Sequence, residues 1–316
     1  MQYHAFREEQ FEPKLWWKNP HFQTLSRGFF RNGKKIAWER TRRTTPYGDS
    51  LTIDVYPAKG EARARLLALH GLTGCSHASP TPELAHKVSA HGVETWALNL
   101  RGADRLVPSV PRLYHAGCTE DLEGVFTQLP QDLPWRFLGF SLGANLLLKW
   151  LGEHGDRALG GSKAMGVSCP FDLKQCSASL ERSLMTRFYR AILIFRLKLI
   201  MKKFSRAYPE VLSEKTIAAC RTFYDIDQNI TAPLHGFEGA EDYWARCSSR
   251  FYLESITVPT QILHAWDDSF QTKPPVHTKN PHLSWEVHDK GGHVGFQKSF
   301  QEDWLVERLA RFVLSD

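Results

Sequence analysis

A serine in a glycine-flanked turn is the strongest chemical signal in this sequence of 316 residues. The segment GFSLG at 139–143 matches the pattern G-x-S-x-G, with Ser141 at its centre. An apolar run, WRFLGF, leads into the turn, and a helical segment, GANLLLKWLGE, follows it. A sharp strand-to-helix turn of this kind exposes a serine hydroxyl above a sheet. Ser141 is therefore a candidate nucleophile for attack on an acyl carbon, provided that a neighbouring base removes its proton.

A base and an acid follow Ser141 in the chain order that such a turn predicts. His293 lies in the glycine-flanked loop DKGGHVGF, and ILHAWDDSF places Asp267 and Asp268 directly after an apolar run. His293 would accept the serine proton, while an aspartate would orient the imidazole and stabilise its charged form. We favour Asp268 as the acid because it falls three residues after the small Ala265 that ends the run, and Asp267 is the alternative.

The segment HGLTG at 70–74 is a candidate oxyanion loop, because it follows the first apolar run of the same alternating region. Backbone N–H groups at such a position stabilise the negative oxygen that develops during acyl transfer. The sequence predicts that Leu72 and Leu142 supply these two groups. We interpret His70 as a residue that supports the loop and not as a catalytic one.

The elements that position these residues alternate along the chain. Apolar runs typical of strands buried on both faces alternate with amphipathic segments from residue 64 to about residue 172, and again from residue 258 onwards. This order predicts a mostly parallel, doubly wound α/β sheet. A β-hairpin with its turn at 46–49 precedes the sheet, because two alternating runs flank the turn residues PYGD.

The chain is expected to have two regions. Residues 1–172 and 259–316 would form the α/β core with an N-terminal arm, and residues 173–258 a helical cap inserted between two strands. Within the cap, five apolar residues recur at helical spacing beside several basic ones: Leu184, Phe188, Ile192, Phe195 and Leu199.

This cap segment allows two interpretations. It is either a lid helix that contacts acyl chains or an anionic membrane surface, or a cap helix packed over the core with its basic face in water. Arg196 and Lys198 interrupt the apolar run, so we do not expect the segment to span a bilayer.

Composition restricts the function classes further. Hydrophobic residues make up 42% of the chain and charged residues 23%, which is typical of a globular enzyme and not of a disordered chain. The net charge of +6 is spread thinly and no nucleic-acid-binding motif is present, so no nucleic-acid partner is expected. The six cysteines show no metal-binding spacing. The first residues include acids and lack an apolar secretion signal, which predicts a cytoplasmic location.

Several of these segments together resemble a known family. HGLTG, the NLRG of 99–102, GFSLGAN, AWDDSF and GGHVGF are similar to motifs of the α/β-hydrolase superfamily, and NPHFQTL at 19–25 narrows the resemblance to the YheT-like esterases. The resemblance implies an α/β-hydrolase fold with a cap, serine esterase or lipase activity without a cofactor or metal, and a triad of Ser141, Asp268 and His293. Thr73 replaces an expected acidic residue, and Ser269 replaces the usual proline after the two aspartates.

The expected function is therefore hydrolysis of carboxylic esters, with short- to medium-chain acyl esters or lipids as substrates, through an acyl-enzyme. An acyltransferase or thioesterase with the same triad is the closest alternative, because the sequence does not specify which acceptor takes the acyl group. A ligand-binding protein that has lost catalysis is the alternative from another class.

Overall fold

An eight-stranded sheet forms the centre of the protein, in the order β1-β2-β4-β3-β5-β6-β7-β8. The computed structural model describes residues 11–27, 34–154, 162–270 and 278–315. The strand β2 runs antiparallel to β1 and β4, and the other neighbouring strands are parallel. The strands are β1 (Glu39–Thr44), β2 (Ser50–Tyr56), β3 (Ala64–Leu69), β4 (Val93–Leu98), β5 (Trp135–Phe140), β6 (Lys163–Val167), β7 (Thr260–Ala265) and β8 (Leu283–His288).

Helices cover both faces of this sheet and extend beyond one end of it. The N-terminal arm contains a 3-10 turn, Leu15–Lys18, before the first helix. The helices are α1 (Pro20–Leu25), α2 (Thr81–Ser89), α3 (Thr119–Phe126), α4 (Leu142–Glu153), α5 (Leu173–Ser179), α6 (Leu184–Ala207), α7 (Glu214–Ala219), α8 (Phe223–Ile226), α9 (Ala232–His235), α10 (Ala240–Cys247) and α11 (Trp304–Leu314). A π-helical turn, Asp227–Thr231, joins α8 to α9.

The central strands are buried on both faces. Every residue of β3 and β5 is buried. Along β3, Leu67 and Leu69 pack in the hydrophobic cluster on one side of the sheet, while Leu66 packs in the cluster on the other side. This double burial accounts for the continuous apolar runs in the sequence. The predicted α/β-hydrolase fold, with its antiparallel hairpin and mostly parallel sheet, is confirmed.

The helix-rich segment α5 to α10, called the cap below, lies between β6 and β7, where the sequence predicts an insertion. Asn145 on α4 joins this segment to the core. Its amide nitrogen donates to the carbonyl oxygens of Ala116 (2.9 Å) and Cys247 (2.8 Å). Its amide oxygen accepts from the N–H of Ser249 at 2.9 Å. The end of the cap is therefore attached to the helix that begins at the candidate nucleophile.

Helix α6 packs through a face that the sequence did not single out. Its buried hydrophobic side chains are Tyr189, Ile194, Leu197, Met201 and Phe204. Four of the five residues of the predicted stripe face outwards: Leu184 is 85% exposed, Phe188 51%, Phe195 63% and Leu199 55%. Ile192 is partly buried and lines the cavity next to the cap. The helix therefore packs over the core through this second face, and most of the predicted stripe is left exposed. In the ranges that the structure describes, no helix is long and apolar enough to cross a membrane.

Candidate active site

Ser141 occupies a strained turn between β5 and α4. Its backbone has φ 51° and ψ −119°, a conformation that L-residues rarely adopt. The Ser141 N–H donates to the carbonyl oxygen of Val167 at 2.9 Å, which ties the turn to the end of β6. The strand-to-helix turn predicted from GFSLG is present, and it places Ser141 above the carboxyl end of the sheet.

Close backbone contacts explain why both Gly139 and Gly143 of this turn must be glycines. A Cβ atom on Gly139 would lie 2.5 Å from the carbonyl oxygen of Gly143 and 2.6 Å from the Cα of Ala144. A Cβ atom on Gly143 would lie 2.5 Å from the carbonyl oxygens of Leu69 and His70. These distances are too short for any side chain, so only glycine allows β3, β5 and α4 to approach each other here.

His293 and Asp268 form a hydrogen-bonded chain with Ser141. The Nε2 atom of His293 lies 2.8 Å from Ser141 Oγ. Its Nδ1 atom lies 2.8 Å from Asp268 Oδ2. The Asp268 carboxyl group is almost fully buried, with 1% of its side chain exposed, and the His293 side chain is 11% exposed. The structure thus brings together the serine, histidine and favoured aspartate that the sequence singled out, in the order needed for proton transfer.

The two neighbouring aspartates lie in different environments. Burial favours the neutral form of Asp268, but the imidazole of His293 and its hydrogen bond outweigh burial and lower the pKa of this carboxyl group. Burial raises the pKa of Asp267, whose Oδ1 accepts from the Gly292 N–H at 2.9 Å. Asp267 therefore contacts the backbone of the histidine loop, whereas Asp268 contacts the imidazole itself.

The N-terminal arm supports the histidine loop, a contact that the sequence analysis missed. The His293 N–H donates to Thr24 Oγ1 at 2.9 Å. The side chain of Gln23 donates to the carbonyl oxygens of Trp17 (2.7 Å) and Gln297 (2.8 Å), and its oxygen accepts from the Gln297 N–H. Gln23 and Thr24 belong to the segment NPHFQTL, which carries part of the resemblance to the family. The sequence alone did not indicate that this segment contacts the histidine loop.

A stack of aromatic rings holds the imidazole from one side. The ring of Phe270 lies parallel to that of His293, with centroids 4.1 Å apart and an interplanar angle of 17°. Tyr189 of α6 stacks on Phe270 with centroids 5.4 Å apart. The Tyr189 hydroxyl lies 2.9 Å from His21 Nδ1 on α1. The cap, the arm and the histidine loop therefore contact one another directly beside the candidate base, which no local sequence pattern indicated.

The loop after β3 passes beside Ser141. A Cβ atom on Gly71 would lie 3.3 Å from Ser141 Cβ and 3.9 Å from Ser141 Oγ. Leu72 follows Gly71, and Leu142 is the first residue of α4, where N–H groups have no partner within the helix. Both leucines line the same cavity as Ser141. The two residues predicted to supply oxyanion donors thus line the same cavity as Ser141, one next to it in the chain and the other next to Gly71.

Two side chains fix the shape of this loop. His70 Nε2 accepts from the Leu100 N–H at 3.1 Å, and its Nδ1 lies 2.8 Å from the Gly71 carbonyl oxygen. Burial lowers the pKa of His70 to about 4, so it is neutral at physiological pH. The Tyr114 hydroxyl accepts from the Thr73 N–H at 2.9 Å. Thr73 has a positive φ of 59°, so this hydrogen bond restrains a strained residue next to Leu72.

Replacing Tyr114 with phenylalanine is expected to lower kcat about 10- to 100-fold on a soluble ester, because displacing one oxyanion donor costs up to about 1000-fold. KM should change less than kcat. The matched control is Tyr208→Phe, which also loses one hydrogen bond, from its hydroxyl to the Pro108 carbonyl oxygen at 2.8 Å. Steady-state kinetics of both variants measure the difference. Equal kcat values for the two variants would exclude a positioning role for Tyr114.

Comparison with known proteins identifies the family, although no family model matches the sequence. The chain is 31% identical over 315 residues to the YheT esterase of Escherichia coli, covering 95% of this chain and 92% of that protein. The chain belongs to the YheT-like esterase family of the α/β-hydrolase superfamily. It is therefore a carboxylic ester hydrolase, as the sequence predicted.

Other relatives of this YheT-like esterase are named as lipid hydrolases. A monoacylglycerol lipase of Saccharomyces cerevisiae is 31% identical over 267 residues, covering 80% of this chain and 59% of the lipase. The mouse phospholipase ABHD3 is 28% identical over 302 residues, covering 91% of this chain and 73% of the phospholipase. Among solved structures, an esterase of Pyrococcus furiosus aligns with a TM-score of 0.53 at 16% identity, covering 88% of this chain and 92% of that one, which supports the fold alone.

Ser141 lies on the wall of a large cavity of about 1160 Å³ beneath the cap. Its walls are mostly apolar and come from both the core and the cap. Examples from the two regions are Leu72, Leu142, Leu193, Ile200, Met201 and Phe223. A cavity of this size, with a few polar groups at one point, is typical of a small-molecule binding site. The arrangement therefore suits a substrate with an apolar chain.

We expect the buried histidines to make the stability of this esterase dependent on pH. Burial lowers the pKa of His70 and of His264 from 6.5 to about 4, and that of His235 to about 3. Below pH 6.5 the unfolded chain therefore binds more protons than the folded protein, so the free energy of unfolding falls as the pH drops towards 4. A shift of this size is worth about 3 kcal/mol for a fully buried group such as His264.

Urea unfolding at pH 7.5, 6.0 and 5.0 should accordingly show decreasing stability. His264→Leu should reduce the slope of stability against pH, because it removes one buried titrating group from β7. A slope that is unchanged in this variant would contradict the assignment of acid sensitivity to His264. His264 Nδ1 lacks a hydrogen-bond partner among the residues described, so the substitution breaks no bond to that atom.

Proposed function

We propose that the protein is a serine hydrolase that cleaves carboxylic esters of apolar acyl groups through an acyl-enzyme on Ser141. The observation that carries this proposal is the hydrogen-bonded chain Ser141–His293–Asp268 at the wall of an apolar cavity. The lowered pKa of Asp268 supports it, because an ionised carboxylate is needed to stabilise an imidazolium.

The reaction begins when Ser141 Oγ attacks the ester carbonyl carbon and its proton passes to His293 Nε2. General base catalysis of this kind contributes about 100- to 10,000-fold. The tetrahedral intermediate then collapses, and the C–O bond to the alcohol breaks while His293 returns the proton to the departing oxygen. Water repeats the sequence on the acyl-enzyme, releasing the carboxylic acid and restoring Ser141. Throughout, Asp268 accepts the hydrogen bond from His293 Nδ1 and keeps Nε2 free to accept a proton.

The backbone N–H groups of Leu72 and Leu142 stabilise the negative oxygen of each intermediate. Each such donor contributes about 100- to 1000-fold. The position of Leu142 at the N-terminus of α4 adds the favourable helix dipole. These are backbone groups, so their effect depends on loop geometry and not on the leucine side chains.

The substrate class follows from the cavity and from the relatives. An apolar cavity of about 1160 Å³ accommodates an acyl chain. The relatives named monoacylglycerol lipase and phospholipase support acylglycerols or phospholipids as the source of that chain. We propose that lipid acyl esters are the substrates.

A chain-length series of 4-nitrophenyl esters, from acetate to dodecanoate, tests the substrate class. The proposal predicts that KM falls as the acyl chain lengthens over the medium range, because each added methylene is buried in the cavity. Product analysis with added glycerol separates hydrolysis from acyl transfer. Free fatty acid as the main product supports the proposal, whereas acylglycerol as the main product would favour an acyltransferase. Absence of turnover on every ester would contradict both.

A further inference from the structure

Helix α6 has two apolar faces on opposite sides. The exposed residues Leu184, Phe188, Phe195 and Leu199 follow one another at intervals of four, seven and four residues, which places them on one face. At 3.6 residues per turn, the buried side chains, such as Leu197 and Met201, lie roughly 180° away. The inner face packs in a hydrophobic cluster, which leaves the outer apolar face exposed.

Basic residues flank the outer apolar face on both sides. Between 184 and 207 the sequence has seven basic residues and no acidic one. Arg190 and Arg206 are paired with Glu181 and Glu214, respectively. By helical position, Arg187, Lys198 and Lys202 lie along one edge of the outer face, and Arg196 and Lys203 along the other. Long basic side chains beside an apolar face can extend to an anionic surface while that face is buried.

The outer face of α6 continues into the mouth of the active-site cavity. Phe195 and Leu199 line the cavity and are largely exposed, so they lie at its opening. Leu106 and Val107, which are 44% and 38% exposed, line the same cavity from the loop after β4. Lys203 donates to the carbonyl oxygen of Arg105, which joins the helix to this loop. Exposed apolar side chains thus border the opening from both elements.

We propose that this surface, formed by the outer face of α6 with Leu106 and Val107, docks the protein onto an anionic phospholipid bilayer. Helix α6 lies in the plane of the interface, with its apolar face among the acyl chains and its basic residues at the headgroups. The cavity mouth then opens into the lipid, so an acyl chain reaches Ser141 without crossing water. The entry of acyl chains by this route rests on the proposed function, whereas docking of the protein onto the bilayer does not.

A bilayer is the occupant that the charges favour. An apolar strip with cations along both edges matches a planar surface with acyl chains beneath anionic headgroups. Each basic residue near such a surface strengthens binding about fivefold. Neutral vesicles offer the apolar phase without the charge, so they should bind more weakly than anionic vesicles. Binding to anionic vesicles should also weaken as the salt concentration rises.

Vesicle co-sedimentation of the full chain carrying Ser141→Ala tests docking without hydrolysis. The vesicles contain three parts phosphatidylcholine and one part phosphatidylglycerol, or phosphatidylcholine alone. Introducing Leu184→Ser with Phe188→Ser is expected to weaken binding to the anionic vesicles at least about tenfold, because each of these side chains loses burial in the lipid. The matched control is Leu15→Ser with Phe251→Ser, whose side chains are 80% and 58% exposed elsewhere on the protein.

Charge reversal supplies an independent test. Lys198→Glu with Lys202→Glu is expected to weaken binding to the anionic vesicles at least about tenfold and to remove the preference over neutral vesicles. The control, Lys59→Glu with Lys279→Glu, makes the same change in net charge away from α6. An equal loss of binding in this control would show a general charge effect and overturn the proposed surface.

Three further results would overturn docking: no binding of the parent protein to anionic vesicles, equal binding to both vesicle types, or no difference between the apolar variant and its control. Hydrolysis of a soluble ester is measured separately, on the chain that retains Ser141. Leu184→Ser with Phe188→Ser should leave that activity unchanged, since neither residue lines the cavity. Absence of soluble-ester hydrolysis by the chain that retains Ser141 would refute the proposed function. Absence of binding to anionic vesicles would refute docking.

Discussion

Replacing Ser141 with alanine is expected to abolish ester hydrolysis, lowering kcat by about a million-fold, the effect of removing the nucleophile from a serine triad. The reason is that Ser141 Oγ, 2.8 Å from His293 Nε2, is the atom that forms the acyl-enzyme in the proposed reaction. The fold should survive, because the change removes one hydroxyl and leaves the backbone of the turn intact. Circular dichroism and thermal unfolding establish this alongside the kinetics.

The matched control is Ser177→Ala. Ser177 also lines the cavity but belongs to α5. Its replacement should leave kcat within about threefold of the parent, since it takes no part in the hydrogen-bonded chain. Hydrolysis that persists in purified, folded Ser141→Ala at more than a thousandth of the parent rate would refute the proposed mechanism.

Asp268→Asn is expected to lower kcat about 10,000-fold, because an amide in this position favours the wrong tautomer of the histidine. In the parent, the carboxylate accepts from His293 Nδ1 at 2.8 Å. Its lowered pKa keeps it ionised below the pH at which an ordinary aspartate becomes protonated. Asp268 should therefore not cause activity to fall between neutral pH and pH 5.

Asp267→Asn separates the two neighbouring aspartates. An asparagine oxygen can still accept from the Gly292 N–H, as Asp267 Oδ1 does at 2.9 Å, so we expect a loss of no more than about tenfold. Measuring kcat for both variants on the same ester decides which residue is the acid. A larger loss in Asp267→Asn than in Asp268→Asn would reverse the assignment.

The fold was predictable because strands buried on both faces give recognisable apolar runs in the sequence. The runs ARLLAL and WRFLGF are largely apolar because both faces of β3 and β5 are covered. The residues of the hydrogen-bonded chain were predictable for a related reason. Gly139 and Gly143 mark a turn in which a Cβ atom would collide with backbone, and Ser141 lies between them. Chain order then restricted the choice of acid and base.

The supporting contacts could not be predicted, because they join residues far apart in the chain. Thr24 contacts the His293 backbone across 269 positions, and Tyr114 reaches Thr73 across 41. Phe270 reads as an ordinary apolar residue after the aspartates, yet it stacks on the imidazole. No regular spacing in the sequence links such pairs. The resemblance of NPHFQTL to the family showed only that this segment of the arm is characteristic of it.

Helix α6 shows that residue spacing does not predict which of two apolar faces of a helix is buried. Helical spacing identified the stripe that contains Phe188 and Phe195 but could not say which side of the helix it faces. A second apolar face with the same period, including Leu197 and Met201, packs over the core instead. When a helix carries two apolar faces, only tertiary structure determines which one is buried.

Labelling with a fluorophosphonate probe, read by intact mass, tests the central claim most directly. The account predicts one adduct on the folded parent protein and none on Ser141→Ala, because the probe reacts with a serine activated by a neighbouring histidine. Asp268→Asn should label much more slowly than the parent. An unlabelled parent, or equal labelling of the parent and Ser141→Ala, would contradict the assignment of Ser141 as the nucleophile.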